Sequence, residues 1–178
     1  MADSIKIGNL DISAFKVGSS DCKIYLGDTL LYPSSQPPTP TFQGKWLATY
    51  TGGTTSSAEC DASSAITQNE ITLTNLVSVE IGDCVTTIGD NAFQNCSSLT
   101  TVTIGSGITS IGTEAFYTCY NLTSITILAT TPPTLGMFSL NMSDDCPIYV
   151  PAASVNAYQS ASAEWAMVSY RIQAIPNS

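Results

Sequence analysis

Fourteen carboxylates, six cysteines and not one histidine define the chemistry open to this chain of 178 residues. Without an imidazole, nucleophilic triads, zinc hydrolases and most proton shuttles lose their usual general base or ligand. Glycan hydrolysis would instead need two carboxyl groups about 5–10 Å apart. The acids show no such pattern: Glu80 stands alone on a predicted strand, and Asp90 and Glu114 each align with a neutral residue, Thr113 and Asn91, in the repeat described below. No acidic ladder is left to hold calcium or frame a sugar, so these side chains read as solubilising charges. Asp144-Asp145 reads as a turn ahead of a strand. The cysteines (22, 60, 84, 96, 119 and 146) include no C-x-x-C pair, which argues against zinc, and a chain this long and apolar has no need of a disulfide framework. The sequence therefore predicts no catalytic residue, no metal, no cofactor and no enzyme.

Composition narrows the partners. A content of 43% hydrophobic residues is enough for the core of one domain, whereas only 11% are charged, so hydroxyl groups must cover much of the surface. The net charge is -9, and Lys6, Lys16, Lys23 and Lys45 precede a stretch from Trp46 to Tyr170 with no basic residue; Arg171 is the only later one. Phosphate backbones and anionic membranes are bound by displacing counterions with Lys and Arg, so neither nucleic acid nor a membrane surface is an expected partner. No apolar run approaches the ~18 residues of a membrane span, and Met1-Ala-Asp-Ser-Ile-Lys6 lacks an apolar run after its charges. A chain neither secreted nor membrane-anchored is expected.

The residues that must position any binding surface repeat with a period of 23. Residues 85–107 and 108–130 align so that Ile88/Ile111, Gly89/Gly112, Ala92/Ala115, Phe93/Phe116, Cys96/Cys119, Leu99/Leu122, Val102/Ile125 and Ile104/Ile127 coincide. Leu76, Val79 and Ile81 continue the frame backwards, but Glu70 falls where Phe would sit, marking a degenerate first coil of the kind that caps a solenoid. Each coil predicts a short strand, 102–104 and 125–127, stacked in parallel at ~4.8 Å. Alternation sends the apolar ladder inward, Cys96 and Cys119 included as buried thiols. Ser78, Glu80, Thr101, Thr103, Ser124 and Thr126 then form an outward, mostly hydroxyl face, a possible ligand face without aromatic platforms. Gly89 and Gly112 read as turn residues.

The phrase Val85-Thr-Thr-Ile-Gly-x-x-Ala-Phe-x-x-Cys-x-x-Leu-Thr-x-Val-Thr-Ile104 resembles the BspA-like leucine-rich repeats of Bacteroidales bacteria and their phages. The tail, with Thr131-Pro-Pro-Thr-Leu135, Cys146-Pro-Ile-Tyr-Val-Pro151 and Tyr170-Arg-Ile-Gln-Ala-Ile-Pro176, is similar to the endings of such arrays. The resemblance implies a mainly β fold: a short solenoid of 23-residue coils with a C-terminal strand-helix cap. Ile148 to Val150 would add a last strand ended by Pro151, Val155 and Tyr158 a short helix, and Trp165 and Ile172 a lid.

Residues 1–33 form a different object, with short apolar alternations and a hairpin expected to turn near Gly27-Asp28; 34–45 read as a proline-rich linker and 46–178 as the repeat domain with its caps. Thirty-odd residues cannot enclose a core. The arm is therefore expected to bind a partner, or copies of itself as a trimer, through Ile5, Ile7, Ile24, Tyr25, Leu26, Leu30, Leu31 and Tyr32. Its sequence also resembles a leader on virion proteins of crAss-like Bacteroidales phages. Together the resemblances imply a virion accessory protein, a head fibre or capsid decoration. The arm would sit on capsid or tail proteins, with the solenoid exposed toward host glycans. The alternatives are a tail-fibre component and a bacterial surface or secreted adhesin.

Overall fold

A computed structural model of the chain describes residues 43–176 and the backbone of four short strands nearer the N-terminus. Two compact units result, Met1–Pro40 and Thr41–Ser178. In the first, β1 (Ile5–Ile7) runs antiparallel to β2 (Leu10–Ile12), with Ile5 opposite Ile12 and Ile7 opposite Leu10. β3 (Tyr25–Leu26) pairs antiparallel with β4 (Thr29–Leu30), so the expected hairpin has its two arms. Ile5, Ile7, Tyr25, Leu26 and Leu30 lie in these strands, whereas Ile24, Leu31, Tyr32 and 34–42 lie outside the described residues.

The second unit is the solenoid. It opens with a hairpin, β5 (Trp46–Tyr50) and β6 (Thr55–Ala58). Each coil then supplies a two-residue strand and a longer one: β7 (Ala65–Ile66) and β8 (Leu76–Ile81), β9 (Thr87–Ile88) and β10 (Thr101–Ile104), β11 (Ser110–Ile111) and β12 (Ser124–Ile127), β13 (Thr134–Leu135) and β14 (Ile148–Val150). Two short helices, α1 (Val155–Gln159) and α2 (Ala163–Met167), lead to β15 (Ile172–Ala174). The short strands stack as β13-β11-β9-β7 and the long ones as β15-β14-β12-β10-β8-β5-β6. Within each stack the coils pair in parallel, and only the opening hairpin is antiparallel.

Side-chain alternation makes the core. Val79, Val102, Ile125, Ile148 and Ile172 lie in register across five strands and are all buried. Ile66, Ile88 and Ile111 do the same in the small sheet. Each such side chain removed from water contributes about 1.5–3 kcal/mol, so the ladders hold the coils together. Between the sheets Phe93 and Phe116 are fully buried and stacked, their centroids 5.1 Å apart and their planes within 3°.

The hydroxyls do more than wet the surface. Thr100 donates to the carbonyl of Val77, Thr123 to that of Thr100 and Thr109 to that of Thr86, at 2.9, 2.9 and 3.0 Å, each reaching back one coil. Two acids read as solubilising charges have the same structural task. Asp83 accepts from the backbone N–H of Ser106, and Asp90 from that of Thr113, at 2.6 and 2.7 Å. Corner donors that would otherwise be orphaned are thereby satisfied.

Several expectations need correcting. Gly89 and Gly112 are not turn residues with positive φ. They are small because a Cβ on Gly112 would lie 2.6 Å from the backbone of Gly89 and Asp90, and one on Gly89 would lie 3.0 Å from the carbonyl of Ile66. The left-handed corners belong instead to Asn69, Asn91 and Glu114, with φ of 71°, 56° and 53°. Ile148 to Val150 is not the last strand: β15 adds one more in parallel, and Ile172 belongs to it. Cys60 and Cys84 form a disulfide between Cα atoms 6.2 Å apart, against the expectation that none is needed. It ties the segment after the opening hairpin to the turn that follows β8.

At the N-terminal end the expectation that Glu70 sits in the place of Phe needs correcting: Ala65 pairs with Thr87 and Ile66 with Ile88, so this coil is one residue shorter there and the buried Ile71 takes the Phe place. Glu70 itself accepts from Lys45 at 2.7 Å, from the Trp46 indole N–H at 3.4 Å and from the backbone N–H of Thr67 at 3.1 Å. The Lys45 ammonium, almost wholly buried, also lies 3.5 Å from Asp61. At the other end Tyr158 and Trp165 pack edge to face and donate to the carbonyls of Ala129 and Pro133, both at 2.8 Å. Polar tips on buried rings thus satisfy the last carbonyls of the stack.

The two ladder thiols are buried as expected. Cys119 donates to the carbonyl of Phe93 at 3.1 Å. Burial pushes the Cys96 thiol up to about 11 and the Cys119 thiol up to about 12. A raised folded-state value means stability that is complete below the ordinary thiol range near ~8.5 and is lost as pH climbs through the folded values. Native protein is therefore expected to leave both thiols unlabelled by a thiol reagent and to lose denaturation midpoint between about pH 9 and about pH 12. Replacing Cys96 and Cys119 by alanine should flatten that loss, and rapid labelling of folded protein would contradict the ladder.

Candidate functional site

The long-strand sheet presents its outward residues in two rows. Thr49, Ser78, Thr101 and Ser124 are neighbours in one. Leu47, Glu80, Thr103, Thr126, Tyr149 and Gln173 form the other. At ~4.8 Å per strand the second row spans about 24 Å. All six residues expected on this face, Ser78, Glu80, Thr101, Thr103, Ser124 and Thr126, are brought together, with Glu80 and Thr101 exposed and the others half-buried. Parallel pairing with no slip at these positions is what keeps every hydroxyl on one side, since a one-residue shift would turn each to the core.

Four members of the rows were not expected from the repeat: Leu47, Thr49, Tyr149 and Gln173. Leu47 and Thr49 come from the antiparallel hairpin, and Gln173 from a strand beyond the last recognisable coil. Tyr149 was within reach of the sequence, because Ile148 and Val150 point inward and the residue between them must point out. It places a half-buried aromatic ring beside Thr126, which corrects the view that this face has no aromatic platform.

Chemically, the face offers hydroxyl donors and acceptors, one carboxylate at Glu80 and one phenol. The other acids once considered for catalysis are engaged elsewhere. Asp90 accepts from Thr113, Glu114 accepts from the Gln94 amide at 2.6 Å, and Asp144 accepts from the Tyr170 hydroxyl at 2.9 Å. Asp144 and Asp145 form a turn ahead of β14. Among the described residues no group of three or more His, Cys, Asp or Glu is placed to hold a metal ion, and no helix is long and apolar enough to cross a membrane.

Electrostatics sets the character of the whole surface. Residues 43–176 hold ten acids and two bases. Both bases are buried, Lys45 in its carboxylate pair and Arg171 with its terminal nitrogens on the carbonyls of Ser143 and Leu140 at 2.9 and 3.0 Å. No exposed cation remains among the described residues.

Comparison with curated proteins finds no match for the chain. The family described as BspA type leucine rich repeat region matches residues 64–148 in six copies, the span from just before β7 to the first residue of β14. The stacked coils, the inward Ile/Val/Phe/Cys ladders and the parallel strands in that span carry the match, and residues 64–148 are similar to BspA-type leucine-rich repeats.

Proposed function

We propose that the chain is a non-enzymatic interaction protein, an accessory component of a phage virion in which 1–33 anchor the molecule on capsid or tail proteins and the solenoid is exposed for adhesion to a host surface glycan. The observation that carries the interaction reading is the outward face of the long sheet, where two rows of hydroxyls with Glu80 and Tyr149 run in register across a stack held rigid by buried ladders. A repeat scaffold of this kind offers a continuous recognition surface. A phenol and a file of hydroxyls suit a neutral polar ligand, and the lack of exposed cations among the described residues disfavours a polyanion. The division at Pro40/Thr41 supports an arm that is a separate unit, and its resemblance to virion leaders supports the attachment to a particle.

The test separates arm from solenoid. A chain starting at Phe42 is expected to fold as a soluble monomer, whereas the full chain associates, as a trimer in this reading. The shortened chain should also fail to attach to particles assembled without the full-length protein. If it still decorates them, or cannot fold without the arm, the anchor reading fails. A second reading, a bacterial surface adhesin, is favoured by the Cys60–Cys84 disulfide, which suits an oxidising exterior. A released particle meets that exterior too. Immuno-electron microscopy decides between the readings: label on purified particles supports the first, and label confined to intact bacteria supports the second.

A further inference from the structure

The fourth coil breaks the pattern of the other three at one corner. The left-handed position held by Asn69, Asn91 and Glu114 is occupied there by Phe138, with φ of 56°. Asparagine tolerates this conformation and a bulky aromatic does not, so the backbone gives no reason for Phe, whose ring meets Tyr117 in a tilted contact with centroids 6.5 Å apart. The ring is half exposed, and Met137 beside it is more so. Met167 at the end of α2 and Tyr170 just beyond it are also exposed. These four side chains line one groove of about 500 Å³. Tyr120 is the one large, strongly exposed apolar residue elsewhere among the described residues. Scattered apolar residues need no explanation, but four converging on one cleft mark an interaction site.

The charge of the groove says what fits. Asp144 and Glu164 belong to its lining, Asp144 held by the Tyr170 hydroxyl and Glu164 by Ser162. Arg171 also contributes to the wall, but its guanidinium is buried on the carbonyls of Leu140 and Ser143. A second copy of the solenoid is a poor occupant, because its described surface has no exposed cation to meet these acids. Two thioethers and two aromatic rings form an adaptable apolar floor. We propose that this groove is a peptide-binding site, taking a short segment that presents an aromatic or aliphatic side chain flanked by lysine or arginine. It lies at the C-terminal end of the solenoid and does not use the outward strand rows, so it stands or falls separately from the function proposed above.

The experiment pans a displayed library of random short peptides against the full chain and measures the enriched sequences by fluorescence anisotropy. Enriched peptides should combine an apolar anchor with flanking Lys or Arg. Phe138→Asn restores the residue used at two equivalent corners, so it should keep or raise the denaturation midpoint while weakening binding by about tenfold or more. Glu164→Gln combined with Asp144→Asn should weaken binding severalfold and reduce its salt dependence. Met167→Ser, at an exposed site, gives a second apolar probe and should weaken binding without moving the midpoint. No enrichment, enrichment of acidic or uncharged sequences, or binding that survives Phe138→Asn and Met167→Ser would overturn the proposal.

Discussion

Phe116→Ala is expected to destabilise the solenoid by about 3–5 kcal/mol, the range for deleting a buried aromatic ring from a packed core. The ring is wholly enclosed, stacked on Phe93, with Leu140 taking the equivalent place in the next coil. Alanine therefore opens a cavity between coils that the ladders on either side hold apart and cannot close. Because each coil touches mainly its neighbours, the loss should spread as local loosening of 108–148 before global unfolding. Urea denaturation gives the energy, and hydrogen exchange gives the extent. Thr103→Ala, on the outward face, should cost under ~0.5 kcal/mol. Equal losses from the two substitutions would overturn the assignment of inside and outside.

Replacing both Cys60 and Cys84 by alanine should cost about 3.5 kcal/mol. The bridge closes a loop with a sequence separation of 24 residues, and that figure follows from the chain entropy it removes from the unfolded state. Reductant should lower the denaturation midpoint of the natural protein and leave that of the double variant unmoved. A midpoint insensitive to both treatments would mean that the first coil is held by its contacts alone, with the Lys45–Glu70 pair as the main polar tie.

What the sequence made legible was whatever the 23-residue period encodes. Phe93 over Phe116, Cys96 beside Cys119 and Thr101-Thr103 beside Ser124-Thr126 all follow from one alignment and one alternation rule. The ends were harder to read because they are not repeats. The opening hairpin depends on Trp46–Tyr50 pairing with β8, about 30 residues away, and its local sign is the Gly52-Gly53 pair, whose φ values of 91° and 81° form the turn. Cys84 sits off the ladder used by Cys96 and Cys119, which is why its pairing with Cys60 left no trace in the repeat. Asp83 and Asp90 looked like surface charge because a side chain that caps the next coil cannot be told from a solvated one without the stack. The groove hid for a similar reason: the third coil is one residue longer, between β11 and β13, which carries Phe138 and Leu140 of the fourth out of the 23-residue frame.

The closure of the chain coil upon coil also governs how it would behave under load. Tension applied at the C-terminus meets β15 first and the lid of Trp165 and Tyr158 next, and each coil freed behind them releases about 80 Å of slack at full extension. Yielding would proceed one step at a time, as a ratchet does, until it reached Cys84. There the covalent link to Cys60 makes a hard stop, with the residues between them shielded from the pull. A tether that lengthens in steps and then holds would absorb a shock without letting go.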